Sequence, residues 1–289
     1  MNAGRPLLTS LFALPLLVGA CGTVQEPAST GLVLHPQITW GQPDGGEHPY
    51  VGTLLFVQGG EGYYSCTGTL LSPTLMLTAG HCVESAGSKN EVTYVSFAEN
   101  PMATYANYAS TTEWLQAEWI RASDVIPHPL YDDYAAFPNT YDVGLVVLSQ
   151  PVTMSTYGSL PELNYFERTA QTQLKKQVFE PVGYGAQAWK PATSNKPIPD
   201  EYARYKAVQH FIGVGSALTG GQTVQFTNNP GRGGGGTCFG DSGGPIFLNN
   251  TNEIVAITSF GITANCKGVD FAFRLDTQLA QDFINLSLP

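Results

Sequence analysis

Charge is what this sequence has least of. Only 12% of its 289 residues are charged, and 13 Lys and Arg face 23 Asp and Glu. The resulting net charge of −10 repels polyanions, which argues against nucleic acid or an anionic lipid surface as an electrostatic partner. Helical periodicity is missing until the last turns, and no internal repeat is present. The apolar run from Leu7 to Ala20 is too short to span a bilayer. No Cys-x-x-Cys pair or clustered His/Cys spacing suggests zinc, so neither a metal nor a cofactor is expected.

What is present is apolar and turn-rich. With 43% hydrophobic residues the chain can bury a core in one large domain or two half-domains. The 32 Gly and 20 Pro, with many Thr, Tyr and Val, favour short strands joined by tight turns. Strand-like runs occur at Tyr50–Val57, Tyr63–Leu71, Leu75–Thr78, Val92–Phe97 and Val143–Leu148. A second set lies at Gln177–Val182, Tyr202–Gln209, Gln222–Thr227, Pro245–Leu248, Ile254–Phe260 and Phe271–Leu275. Regular short strands mean an all-β sandwich or barrel, and two six-stranded halves with a crossover near 150–175 would account for the length. Leu275, Leu279 and Phe283, after Asp276 as a cap, predict a short C-terminal helix.

Arg5 followed by the Leu7–Ala20 run reads as a signal peptide over residues 1–20, so export is expected. Leu17-Val18-Gly19-Ala20-Cys21 resembles a bacterial lipobox, which would lipidate Cys21 and attach the chain to a membrane; ordinary cleavage after Ala20 fits as well. Residues 21–37 read as a tether or propeptide, and 38–289 as the folded domain. Setting Cys21 aside leaves Cys66, Cys82, Cys238 and Cys266, an even number in a chain bound for an oxidising compartment. Three pairings are open. Joining near neighbours, Cys66 with Cys82 and Cys238 with Cys266, closes two modest loops, each worth on the order of 2–4 kcal/mol.

The strongest chemical signal is Gly240-Asp241-Ser242-Gly243-Gly244-Pro245, a serine set among glycines where backbone N–H groups can crowd the hydroxyl. An alkoxide is too basic to form unaided, so an imidazole must take the proton and a carboxylate must orient that imidazole. His81 stands apart among five histidines because it follows an apolar run and precedes Cys82. Asp142 precedes the apolar strand Val143–Leu148, which would draw it inside, where a carboxylate needs a partner.

Thr78-Ala79-Gly80-His81-Cys82, Asp142-Val143-Gly144-Leu145 and Gly240–Pro245 resemble, in chain order, the three signature segments of chymotrypsin-like serine proteases. Val182-Gly183-Tyr184-Gly185, Ser259-Phe260-Gly261 and His48-Pro49-Tyr50-Val51 extend the resemblance over about residues 38–289. It implies an all-β fold of two six-stranded antiparallel β-barrels and a serine endopeptidase acting on protein or peptide substrates as a monomer, with Ser242 as nucleophile, His81 as base and Asp142 as orienting carboxylate. The N–H groups of Gly240 and Ser242 would form the oxyanion hole, and Ser259, Phe260 and Gly261 would align substrate.

Gly80, Gly144 and Phe260 depart from the Ala, Ala and Trp usual in that family. By the same resemblance Gly236 stands at the floor of the specificity pocket, which implies cleavage after an apolar or small residue. Asp270, a candidate pocket wall, would favour a cation instead. Ile38-Thr39-Trp40-Gly41 resembles the family's mature N-terminus, whose freed amine would pair with Asp241, although Gln37 precedes it where Arg or Lys is usual.

Two rival readings compete. Gly240–Gly244 also fits the G-x-S-x-G pattern of α/β-hydrolases, but that fold needs a later histidine and none follows Ser242. A catalytically silent binding module on the same scaffold is the alternative function. Asp132-Asp133, with Tyr131, Tyr134 and Phe137, reads as an exposed loop.

Overall fold

The computed structural model describes residues 38–58, 61–84, 91–135, 137–185, 202–263 and 265–288. The expected signal peptide, the tether and Cys21 lie outside these residues.

The first half is built from β2 (Val51–Gln58), β3 (Glu61–Leu70), β4 (Leu75–Thr78), β5 (Glu91–Ser96), β6 (Ile120–Pro127) and β7 (Gly144–Leu148), preceded by the short β1 (Gln42–Pro43). These six close into a barrel in the order β2-β3-β4-β7-β6-β5, every pair antiparallel. Strand β2 is apolar on both faces because each face is covered. Leu54 and Phe56 point into the main core, while Leu55 and Val57 meet Trp114, Leu115 and Trp119. Trp114 and Leu115 belong to the helix α2 (Thr111–Glu118), which follows the short helix α1 (Gly80–Val83). Helix α2 starts on a cap: the Ser110 hydroxyl accepts from Glu113 N, and the Glu113 carboxylate accepts from Ala109 N.

The second half comprises β8 (Phe179–Gly183), β9 (Tyr205–Lys206), β10 (His210–Ser216), β11 (Gly220–Asn228), β12 (Pro245–Leu248), β13 (Ile254–Gly261) and β14 (Gly268–Arg274). With β1 they form an eight-stranded sheet in the order β1-β9-β8-β12-β13-β14-β11-β10. The chain is mostly β, as expected, and six of these strands form the expected second half. Its closure is slighter than a full ladder, since one bridge, Phe179 to Gln209, joins the start of β10 back to β8. The expected strand over Tyr202–Gln209 shrinks to Tyr205–Lys206. Beside it, the buried Arg204 guanidinium turns inward to Asp44 (2.8 Å) and to the carbonyls of Val51 and Phe97.

Between the halves lie α3 (Tyr165–Arg168) and α4 (Gln171–Leu174). The C-terminal helix α5 (Gln278–Asn285) buries Ala280, Phe283 and Ile284 in the main core, which draws on residues of both halves. Its cap is Thr277, whose hydroxyl accepts from Ala280 N at 3.2 Å, and not Asp276. Asp276 is taken by Arg274 (2.9 and 2.8 Å) and by Phe166 N (3.0 Å), because a buried guanidinium claims the nearest carboxylate.

Candidate active site

His81 sits in the single turn α1 that follows β4, and that turn is held from three sides. Cys82 is bonded to Cys66 on β3, and Cys238 to Cys266, so near neighbours pair. Tyr64 donates to the Cys82 carbonyl (2.8 Å) and Thr78 to the Thr67 carbonyl (2.8 Å). The two glycines that stand where alanine was expected have steric reasons. A Cβ on Gly80 would lie 3.1 Å from the Tyr131 ring, and one on Gly144 would lie 2.4 Å from Val83 Cγ2.

Asp142 follows Tyr141, which takes a left-handed φ of 47°, and it is completely buried. Its Oδ1 accepts from the His81 backbone N–H (2.9 Å), and both oxygens lie 3.0 Å from His81 Nδ1. Oδ2 also accepts from Ser259 Oγ (2.5 Å) and from the Tyr134 hydroxyl (2.8 Å). Burial alone would disfavour the imidazolium, but the Asp142 charge and hydrogen bond, then Asp133 and Glu84, outweigh it and hold His81 above its ordinary value. Burial likewise opposes ionisation of Asp142, yet His81 and its other donors keep that carboxyl below the usual range. The pair is therefore tuned to be an ionised carboxylate beside a basic imidazole.

The segment carrying Ser242 is clamped to the same strands. Thr67 N donates to the Ser242 carbonyl (2.8 Å), the Thr67 hydroxyl donates to the Gly240 carbonyl (2.9 Å), and Cys82 Sγ lies 3.6 Å from the Ser242 carbonyl. Gly243 has φ +76°, and a Cβ there would meet Thr78 Oγ1 at 2.1 Å, so only glycine lets the segment pack this closely. Across Gly240–Gly244 the N–H groups of Asp241, Gly243 and Gly244 donate to Cys238, Thr258 and Asp241 carbonyls respectively. Those of Gly240 and Ser242 have no backbone acceptor among the described residues. Both residues line a cavity of about 560 Å³, and His81, Tyr134, Ser259, Phe260 and Gly261 line it too. Among the described residues the Ser242 hydroxyl makes no hydrogen bond, and it shares this cavity with the imidazole.

Ser259 reaches Asp142 because β13 is irregular: the register against β14 shifts between Thr258 and Phe260. A bulge of this kind re-aims one side chain out of the strand's alternation. Phe260 stacks on Phe271 with ring centroids 4.8 Å apart, which steadies that cavity wall.

Gly236 does not line the cavity. It pairs with Thr39, and the Asn228 side chain stands against it, 1.7 Å from where a Cβ would be. The carboxylate at the cavity is Asp270, and it is buried. Its oxygens accept from Gln209 (2.5 Å), from the Thr237 N–H and hydroxyl (2.9 and 2.8 Å) and from Asn228 (3.1 Å). Burial outweighs these donors and pushes its carboxyl up to about 6.

Asp241 is also buried, accepting from Gly185 N (2.7 Å) and Cys238 N (2.9 Å). Burial raises it to about 8, and among the described residues no cation faces it. Ile38 is fully buried with Ala203, Tyr205 and Ala207. Cys66, His81 and Cys82 place their ligand atoms within 4.8 Å of one another, but both sulfurs belong to the disulfide and offer no thiolate to a metal.

The loop expected to be exposed is only partly so. Asp132, Asp133 and Phe137 are exposed, but Tyr131 is buried and Tyr134 reaches the His81–Asp142 pair. Nothing in the local sequence flags Tyr134, Asn228, Gln209 or Thr237, which reach the site only through the fold.

The Trypsin family profile matches residues 38–284. Brachyurin of Leptuca pugilator is 29% identical over 208 residues, covering 71% of this chain and 79% of brachyurin. A chymotrypsin-like serine proteinase of Haliotis rufescens is 26% identical over 246 residues, covering 83% and 88%. The solved structure of HL collagenase superposes with a TM-score of 0.60 at 17% identity, over 89% of this chain and 99% of that one, a likeness of fold. With the profile spanning both halves and the site between them, the chain belongs to the trypsin family of serine proteases.

Proposed function

We propose that the protein is a serine endopeptidase that cleaves peptide bonds through an acyl-enzyme on Ser242. The observation that carries this reading is the His81–Asp142 pair, hydrogen bonded at 3.0 Å, with His81 lining the same cavity as Ser242. Asp142 accepts from Nδ1–H, which leaves Nε2 as the acceptor for the serine proton. Ser242 Oγ attacks the scissile carbonyl, its proton passes to Nε2, and the carbonyl oxygen becomes an oxyanion. The N–H groups of Gly240 and Ser242, which have no backbone acceptor among the described residues, would receive that charge, each donor lowering the barrier by roughly 3–4 kcal/mol. The imidazolium then protonates the leaving amine as the C–N bond breaks. Water, deprotonated by His81, releases the acyl group and restores the serine.

The cavity favours an apolar residue on the acyl side of the cut. Asp270 is held by four donors of the protein itself, three on Oδ2 and one on Oδ1, so the fold supplies it with partners without a substrate cation. Cleavage before Ile38 would free an ammonium to pair with Asp241, whose burial without a cation is otherwise costly. Export, with a lipid on Cys21, fits the Leu7–Ala20 run and the two disulfides; palmitate labelling lost in Cys21→Ser tests the anchor.

Profiling cleavage of a peptide library by the purified chain tests the central reading. Ser242→Ala and His81→Ala should each lower turnover by several orders of magnitude with little change in unfolding. Equal turnover in either variant would end the assignment, and no turnover in the natural chain processed to Ile38 would favour a silent binding module.

A further inference from the structure

Asp142 is held by more than its imidazole. The backbone N–H of His81 points at Oδ1, the Ser259 hydroxyl at Oδ2, and His81 Nδ1 lies between the two oxygens. A carboxylate has about four acceptor sites, and these three donors leave one open in a fully buried group. The Tyr134 hydroxyl fills it at 2.8 Å, and the same oxygen stands 3.0 Å from Nδ1. Tyr134 comes from the loop between β6 and β7, eight residues before Asp142, and it and Asp133 take left-handed φ values of 62° and 54°. Two non-glycine residues in that conformation are a strain the surroundings must hold. The ring is held by aromatic contacts with Tyr131, Phe137 and Phe260, at centroid distances of 5.6, 5.8 and 5.6 Å.

Resting on the protease reading above, we propose that Tyr134 is a positioning residue of the His81–Asp142 pair, completing the donor set of the carboxylate and fixing its orientation against the imidazole. The phenol is suited to this because burial and the Asp142 charge hold its proton on far above the ordinary range, so it stays a donor. By drawing on the Asp142 charge, its hydrogen bond moderates the pull of that carboxylate on the imidazole proton. The other ionisable groups around His81 are Glu84 at the end of α1 and Asp133 in the loop, both raising it, with Asp132 and Tyr131 beside them. None of these makes a hydrogen bond to Asp142 in place of Tyr134 among the described residues.

The test titrates His81 by NMR in the full chain carrying Ser242→Ala, so it does not depend on proteolysis. Adding Tyr134→Phe, which keeps the ring and its packing, should raise the His81 midpoint by roughly half a unit to one unit. In the chain with Ser242 intact, the acid limb of kcat/KM should move up by the same amount, with KM little changed. Tyr134→Leu should give a shift at least as large. An unmoved midpoint in Tyr134→Phe overturns the proposal, and so does a shift confined to Tyr134→Leu, which would assign the effect to the ring. If the natural chain has no Ser242-dependent hydrolysis, the protease reading fails, while the titration still decides whether the hydroxyl acts on the pair.

Discussion

Replacing Asp142 by Asn changes one atom of the site and should silence it. The Oδ1 position must remain an oxygen, because the His81 backbone N–H that points at it at 2.9 Å can only donate. The amide nitrogen is then forced to the Oδ2 position, where one of its two hydrogens is accepted by the Ser259 or Tyr134 hydroxyl, either of which can turn. That nitrogen also faces His81 Nδ1 at 3.0 Å and donates to it, so the ring proton moves to Nε2. An imidazole protonated at Nε2 cannot take the Ser242 proton. We expect kcat to fall by about 10⁴, the scale of loss when a Ser-His-Asp triad holds its imidazole in the wrong tautomer, or about 5.5 kcal/mol in barrier. Without the anion the imidazolium loses its main support, so the acid limb of the residual activity should move down in pH. Stability should change by roughly 1–3 kcal/mol, the scale of one hydrogen bond to a charged group. The assay is kcat/KM on a peptide amide from pH 5 to 9, with urea unfolding alongside. Undiminished kcat, or an acid limb that stays in place, would refute the tautomer argument.

Three other expectations follow from single contacts. Gly144→Ala puts a methyl 2.4 Å from Val83 Cγ2 and 2.9 Å from the Ala79 carbonyl, so the urea midpoint should fall by an amount worth roughly 1–3 kcal/mol; an unchanged midpoint would contradict the packing. In the chain not cut before Ile38, Asp241 keeps its proton in the folded state up to about 8 but loses it near 3.8 when unfolded. The folded state then binds the extra proton, so this group makes stability decline as pH rises through that window, and Asp241→Asn should flatten the slope of unfolding free energy between pH 5 and 8. An equally steep slope in the variant would remove Asp241 as its source. Leu and Phe at the acyl side of the cut should outrank Lys, and Asp270→Asn should keep that order; a natural enzyme preferring Lys would show that Asp270 acts as a counter-ion.

Legibility in the sequence followed the locality of the cause. His81, Asp142 and Ser242 stood out as candidates because each sits in a short segment with a local mark: a cysteine anchor, an apolar strand, a run of glycines. Strands β4 and β12 were legible to the residue because they are short apolar runs bounded by turn formers. Strand β6 was not, since its alternation runs only from Ile120 to Ser123 before the bulge between Ala122 and Asp124 breaks it, and none of its residues is fully buried. Helix α2 carried its signal, Ser110 followed by Glu113, but lay in a stretch rich in turn residues. Tyr134 and Asn228 were invisible for another reason: their roles exist only once distant strands meet. The role of Ser259 towards Asp142 likewise depends on a bulge that no residue pattern announces. The specificity pocket shows the limit of resemblance, because the floor expected at Gly236 is covered by Asn228, and the carboxylate at the cavity is Asp270.

Mass spectrometry of the chain, processed to begin at Ile38 and treated with a serine-directed phosphonate, asks most directly whether Ser242 is an activated nucleophile. The account predicts a single adduct on the peptide containing Ser242, absent in Ser242→Ala and formed far more slowly in His81→Ala. No adduct, or one that persists when Ser242 is replaced, would contradict it.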